Sequence, residues 1–378
     1  MSNDDSRQFR IMKGLELSTR QLLYIGIAVA VLLAVPDIEQ FHADLRMQTI
    51  YLGLCWGLAA LGVNLLLRHT ELVSFGHAAY FGGGAYGAAL VAQYAGIEEA
   101  VLLVLAGVLV AISLAVVIGW LVAGYLDIYF ALLTLAFNQL LFAIVMGSPR
   151  LLGSDDGLSV RPASELTRPT LFGVEFTAAQ YEVLIYYVAI AVLIVMLLVT
   201  WRLINSPFGR ALDAIGQDRT RARFIGIPVK RYVWVTFVIS AVYGGLAGGL
   251  YSLSMLHVRP GNTLFVLRSG EILFMAILGG FKTLLGPIAG GIVLTYMLTE
   301  LRFATEYWEF ATGFVLLLVV FLLPRGILGS WPTIAAGFSK RVSNPGLLSD
   351  DIGVLASMIA AKLRDAAHTT KIILFGVK

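Results

Sequence analysis

An all-α, multi-pass integral membrane protein is the fold class this sequence predicts, on three observations. Of its 378 residues, 58% are hydrophobic and only 13% are charged, against roughly 25% charged in a soluble domain. The mean hydropathy is +0.83, and apolar runs near the roughly 20 residues of a spanning helix recur along the chain. The 39 glycines suit close helix crossings and helix breaks better than flexible linkers. The expectation is a polytopic helical bundle of about nine or ten transmembrane segments, including one broken-helix hairpin.

The elements follow in order. Residues 1–20 form a basic tail with Arg7, Arg10, Lys13 and Arg20. The apolar run after it reads as a first anchor, because "LLAVPDIEQF" lacks an A-x-A-like cleavage site. Six apolar segments precede the first long polar stretch: Gln21 to Val35, Gln48 to Leu67, Phe75 to Tyr94, Ala100 to Gly124, Ile128 to Gly147 and Tyr181 to Leu203. Six crossings return the chain to its starting side, and the charges agree. Arg202, Arg210, Arg219, Arg221, Arg223, Lys230 and Arg231 face only Asp213 and Asp218, whereas the first opposite-side loop, "DIEQFHADL", is acidic. The positive-inside rule puts the tail and this stretch in the cytoplasm. A span from Val233 to Leu256 follows, then an outer loop around "HVRPGNTLFVLRSG".

The last apolar run, Trp308 to Leu323, leads to a tail with Arg325, Lys340, Arg341, Lys362 and Arg364, again cytoplasmic by the same rule. The segment 269–300 must then begin and end outside. Gly279, Gly280, Gly286 and Pro287 bracket "FKTLL" within it, and such residues break helices where protein or a cavity satisfies the freed backbone. Two short legs meeting near Lys282, at or towards the cytoplasmic side, are expected. The domain reading is a tail over 1–20, a transmembrane domain over 21–324 holding a cytoplasmic segment at 205–231, and a cytoplasmic tail over 325–378. Within that last tail, "DIGVLASMIAAKLRDAAH" reads as an amphipathic surface helix.

The sequence argues against several functions, of which a stand-alone channel or secondary transporter stays as the lesser alternative. A net charge of +3 is too small to argue for nucleic acid, and the single cysteine, Cys55, allows no intrachain disulfide. His42, His69, His77, His257 and His368 are scattered without metal-ligand spacing. "GGFKTLLG" lacks the G-x-x-x-x-G-K-(S/T) spacing of a phosphate loop, so this chain binds no ATP and needs no cofactor of its own. No acidic pair offers the ion-coupling site of a stand-alone channel or secondary transporter. No nucleophile and base suggest an intramembrane hydrolase.

The stretch "NSPFGRALDAIGQDRTRARFIGIPVKRY" is the informative one. Ser206 is a candidate N-cap and Pro207 suits the first helical position. Phe208, Leu212 and Ile215 then form one apolar stripe, with Gly216 as a stop. An amphipathic helix of this kind either lies on anionic headgroups or docks another protein.

Four segments resemble, in order, the membrane subunits of branched-chain amino-acid ABC importers. They are "ELVSFGHAAYFGGGAYGAAL", "YFALLTLAFNQL", "SPFGRALDAIGQDRTRARFIGIPVKRYVWVTFVISAVYGGLAGGLYS" and "SGEILFMAILGGFKTLLGPIAGGIVL", within roughly Leu45 to Gly329. The aromatic-rich second segment resembles the longer, M-type subunit. Two departures stand out: "LLGSDDGLSV" lacks the usual T-G-G, and "LGGFKTLLG" replaces a usual glycine.

The resemblance implies a permease subunit in the cell membrane, with both termini cytoplasmic. It also implies a second, H-type permease, two cytoplasmic ATPase subunits carrying the ATP, and an extracellular substrate-binding protein. Branched-chain or other hydrophobic amino acids are the implied cargo, with urea or short amides as the alternative. ATPase coupling falls to Ser206, Pro207, Phe208, Gly209, Arg210, Ala211, Leu212, Ala214, Ile215 and Gly226, whose apolar stripe supplies the buried area.

Candidates for the translocation pathway are His77, Thr134, Asn138, Gln139, Glu271, Gly279, Gly280 and Pro287. Each has a second reading. His77 can hydrogen-bond a neighbouring helix, Thr134, Asn138 and Gln139 can act as interhelical glue, and Glu271, three residues past Arg268, can be a helix-terminal carboxylate.

Overall fold

The computed structural model describes residues 8–10, 16–18, 32, 35–36, 47–125, 127–160, 170, 174, 177–323 and 326–330. The chain divides into two units, Met1–Gly329 and Ser330–Lys378. All the elements below belong to the first. The amphipathic candidate after Ser339 and most of the first apolar run lie outside the described residues.

The protein is an all-α, polytopic membrane bundle. Its main helices are α1 (Met47–Thr70), α2 (His77–Ala95), α3 (Ala100–Val122), α4 (Asp127–Met146), α5 (Ala178–Ile204), α6 (Pro207–Gln217), α7 (Arg219–Phe224), α8 (Val229–Met255), α9 (Val266–Gly279), α10 (Gly286–Ala304) and α11 (Trp308–Leu322). Among the described residues, six stretches are long and apolar enough to span a bilayer: α1, α3, α4, α5, α8 and Pro260–Gly279, which contains α9. Helix α2 is diluted by glycine, alanine and His77, and is hidden inside the bundle. Sheet is confined, among the described residues, to short ladders. Gln8–Arg10 pairs with Glu16–Ser18 in the N-terminal tail, and Leu158–Ser159 pairs with His257–Val258.

Helix α1 is the axis, buried along nearly its whole length and packed by α8, α9 and α10. Tyr51 Oη donates to the Leu250 carbonyl of α8 at 2.6 Å, and Trp56 stacks on Phe81 of α2 at 4.0 Å. By contrast, α3, α4 and α5 leave Leu109, Trp120, Leu132 and Leu198 more than half exposed. Such a surface is stable only against lipid or another apolar helix.

Glycine sets the tightest crossing, where α2, α3 and α8 meet. A Cβ on Gly84 would lie 2.7 Å from the Gly245 Cα, and one on Gly245 would lie 2.7 Å from Ala111 Cβ. A Cβ on Gly107 would run into the Gly84 carbonyl. Small residues here let three backbones approach, the usual device of helix association in lipid.

The expected helix break is present between α9 and α10. Gly280 adopts φ 111°, and both the amide and the hydroxyl of Thr283 donate to its carbonyl, at 2.9 and 2.8 Å. Ile288 lies against Gly57, which sets the turn beside the middle of α1.

Candidate functional site

The polar stretch after α5 folds into two short helices joined at Asp218. Ser206 is extended at φ −82°, ψ 168°; its Oγ accepts from the Gly209 amide at 3.3 Å and donates to the Leu203 carbonyl at 2.6 Å. Pro207 opens α6. Asp218 ends α6 and caps α7, accepting from the amides of Thr220 and Arg221 at 2.9 and 3.0 Å. The Arg221 amide first, then the Thr220 amide and the Arg221 guanidinium, hold its carboxyl below the usual aspartate range.

Two expectations change here. Gly216 is the penultimate residue of α6 and not its cap, which is Asp218; a Cβ on Gly216 would meet the His69 carbonyl at 2.7 Å. The apolar stripe does not face outward either. Leu212 and Ile215 are fully buried in a cluster with Leu66, Leu72, Val233 and Phe237, while Phe208 stacks on Tyr232 at 5.2 Å. Gly209 is buried against the backbone of Ile204. A helix standing at the end of a bundle gains more by covering the bundle's open apolar end than by exposing its own stripe to water.

Polar ties lock this cap in place. His69 Nδ1 and Asp213 Oδ1 are 2.5 Å apart, joining the end of α1 to α6. Arg219 donates to Asp127 at the start of α4 at 2.7 Å, and to the Thr70 carbonyl at 2.9 Å, capping α1. The side chains left outside include Arg210, Gln217, Thr220, Arg221, Arg223, Phe224 and Ile225. Phe224 and Ile225 are 86% and 73% exposed, an unusual position for two large apolar residues directly after Arg223. Gly226, at φ 87°, turns the chain into α8 and is itself exposed. Ala211 and Ala214 are half-buried. Behind this tip lies an open cleft of about 410 Å³ lined by Arg223, Lys230, Arg231 and the backbone turn between them.

The pathway candidates fall into four places. His77 and Thr134 meet where α2 begins. His77 Nε2 lies 2.6 Å from Ser240 Oγ, which donates to the Gly62 carbonyl at 2.7 Å, so Nε2 carries the proton. Nδ1 lies 3.1 Å from Ser74 Oγ, and the Phe75 amide donates to Thr134 Oγ1 at 3.2 Å. Asn138 donates to the Leu264 carbonyl at 3.0 Å. Beside it, Gln139 is half-buried, and Asn138 Oδ1 and Gln139 Oε1 are buried without a partner among the described residues. Glu271 is half-buried and accepts from Arg268 at 2.6 Å.

Gly279, Gly280 and Pro287 line the hairpin turn, apart from the first two groups, and all three are buried. The sequence-based candidates omitted Ser74, Ser240 and Ser269; the last accepts from the Ala78 amide at 2.9 Å. A serine inside a span was the available signal for Ser240.

A buried axial helix, a broken hairpin and a helical cap at one end of the bundle describe a multi-pass helical membrane protein. Residues 45–322 match the family described as branched-chain amino acid transport system / permease component. The high-affinity branched-chain amino acid transport system permease protein LivM of Escherichia coli is 28% identical over 306 residues, covering 76% of this chain and 69% of that protein. LivM of Salmonella typhimurium is 26% identical over 341 residues, covering 84% and 77%. LivH of Salmonella typhimurium is 25% identical over 316 residues, covering 77% of this chain and 97% of that protein. No solved structure matches. The chain belongs to the branched-chain amino-acid ABC transporter permease family, as an M-type subunit. It is thus a transport subunit of a multi-component membrane transporter.

Proposed function

We propose that this chain forms one half of the pore of an ATP-driven importer, pairing with an H-type permease and accepting branched-chain amino acids from an extracellular binding protein. Two ATPase subunits carry the nucleotide and dock on residues 205–231, with both termini of this chain in the cytoplasm. The observation that carries the reading is the cap itself. Segment α6–α7 offers partners an exposed set of Arg210, Arg221, Arg223, Phe224 and Ile225, while its inner face is bonded to α1, α4 and α8.

That division suits force transmission. Exposed aromatic and arginine side chains are the types that anchor protein interfaces. The buried stripe and the ties of Asp213 and Arg219 would carry a displacement of the cap into α1 and α4. Arg210 and Gly226 keep their place in the docking surface, whereas Leu212, Ile215 and Gly209 act from inside by holding the cap to the bundle.

His77, Thr134 and Asn138 are occupied in holding helices together. The proposed path therefore follows the outer face of α9, where Leu267, Gly270 and Phe274 are partly or largely exposed beside Glu271. A second permease closing over that face would complete a lined pore. The test is uptake of labelled leucine into liposomes holding the purified assembly, with the binding protein outside and ATP inside. The reading expects ATP-dependent uptake that unlabelled valine suppresses and excess urea or acetamide does not. ATP-independent uptake, or suppression by the amides alone, would overturn it.

A further inference from the structure

Helices α5 and α8 do not close on each other at the end of the bundle that carries α6. Between them lies a groove of about 350 Å³, walled by Val199 and Leu203 of α5 and by Val235 and Ile239 of α8, and floored by Phe208. Val199 and Val235 are 43% and 37% exposed, so the groove opens to the outer surface of the bundle. One arginine stands at its mouth, and a second, Arg231, lines the other cleft, behind the α6–α7 tip. Arg202 lines it directly. Arg231 lies four residues before Val235, on the same face of α8.

Both guanidiniums are exposed, and neither has a carboxylate partner among the described residues. On α8 the apolar wall runs from Val235 to Ile239, about 6 Å along the helix, with Arg231 one turn before it. An apolar slot with Arg202 at its mouth and Arg231 one helical turn from Val235 matches a segment of acyl chain below an anionic head. A neighbouring protein helix would bring two arginines against its own surface and need acids of its own at that level. The lipid surface supplies the negative charge.

We propose that this groove is a binding site for one anionic phospholipid, with an acyl chain between α5 and α8 and the phosphate held between Arg202 and Arg231. The site pins the last turns of α5 to the first turns of α8, the two spans that flank α6–α7. It rests on the chain being a membrane protein and not on ATPase docking, so it stands or falls separately from the proposed function.

The test is native mass spectrometry of the purified full-length chain, titrated with phosphatidylglycerol or with phosphatidylcholine of the same acyl chains. Wild type is expected to retain one phosphatidylglycerol in preference to phosphatidylcholine. Arg202→Gln and Arg231→Gln should each weaken that retention about fivefold, Arg202→Lys should restore most of it, and Val235→Trp should fill the groove and abolish it. Unchanged melting temperatures for the arginine variants keep the comparison free of unfolding. Equal retention of the two lipids, or retention that ignores the arginines, would overturn the site. So would its loss from wild type when the second permease subunit is co-purified, since the groove would then be a subunit interface.

Discussion

Replacing Gly84 with alanine adds one methyl group where the structure has no room for it. The new Cβ would lie 2.7 Å from the Gly245 Cα and 2.9 Å from its carbonyl carbon. Both are backbone atoms, so no rotamer change relieves the contact, and α2 and α8 must separate. Moving α2 also disturbs α3, because a Cβ on Gly107 already finds the Gly84 carbonyl in its way. Overpacking of this kind destabilises by about 1–3 kcal/mol, which lowers the melting temperature of a chain this size by about 1–4 °C. Gly270 is the internal control. A Cβ there meets nothing within 4 Å, and Gly270→Ala should stabilise α9 by about 0.5–1 kcal/mol through helix propensity alone. Fluorescence-detected gel filtration of heated, detergent-solubilised protein reads both. The expected result is opposite signs; equal melting temperatures for the two variants would refute the three-helix crossing.

Three further outcomes are expected. Asp213→Ala removes the partner of His69 on a half-exposed carboxylate and should cost about 1 kcal/mol, read as faster proteolysis of the 205–231 segment with the spans intact. Ser240→Ala strips the buried His77 Nε2–H of its acceptor and should destabilise by about 1–3 kcal/mol in the same thermal assay. Asp218 has a folded pKa below its unfolded value, so its capping contribution is complete above the ordinary aspartate pKa and is lost as pH falls through the depressed one. Amide protection in α7, taken relative to the intrinsic exchange rate at each pH, should fall in that acidic window, and Asp218→Asn should make the protection insensitive to it.

Much of this architecture was legible because membrane spans announce themselves by length and apolarity, and hairpins by Gly and Pro. The break between α9 and α10 falls where Gly279–Gly280 and Gly286–Pro287 placed it. The orientation of the 205–231 helix was not legible. Periodicity shows that Phe208, Leu212 and Ile215 share a face, but it cannot say whether that face meets a partner or the chain's own core; Leu66, Val233 and Phe237, distant in sequence, decide it. Gly216 misled for a related reason. A glycine near a helix end reads as a stop, and only the His69 carbonyl pressed against it shows that close packing is its role. Helix α7 was missed because Asp218 looks like one more charge until its two amide bonds are seen. Polar residues within spans were visible individually, but the hydrogen-bonded glue around His77 depends on Ser240 and Gly62, brought from other helices.

The most direct test of the central claim is gentle affinity purification of the tagged chain, comparing wild type with Arg210→Glu and Phe224→Glu. Both positions are exposed, whereas any side chain at Gly209 would collide with the Ile204 backbone and confound folding with docking. The account predicts that wild type brings down a second permease and two nucleotide-binding subunits, and that both variants keep the permease but lose the nucleotide-binding subunits. Wild type that purifies alone and moves leucine into liposomes without ATP would contradict it.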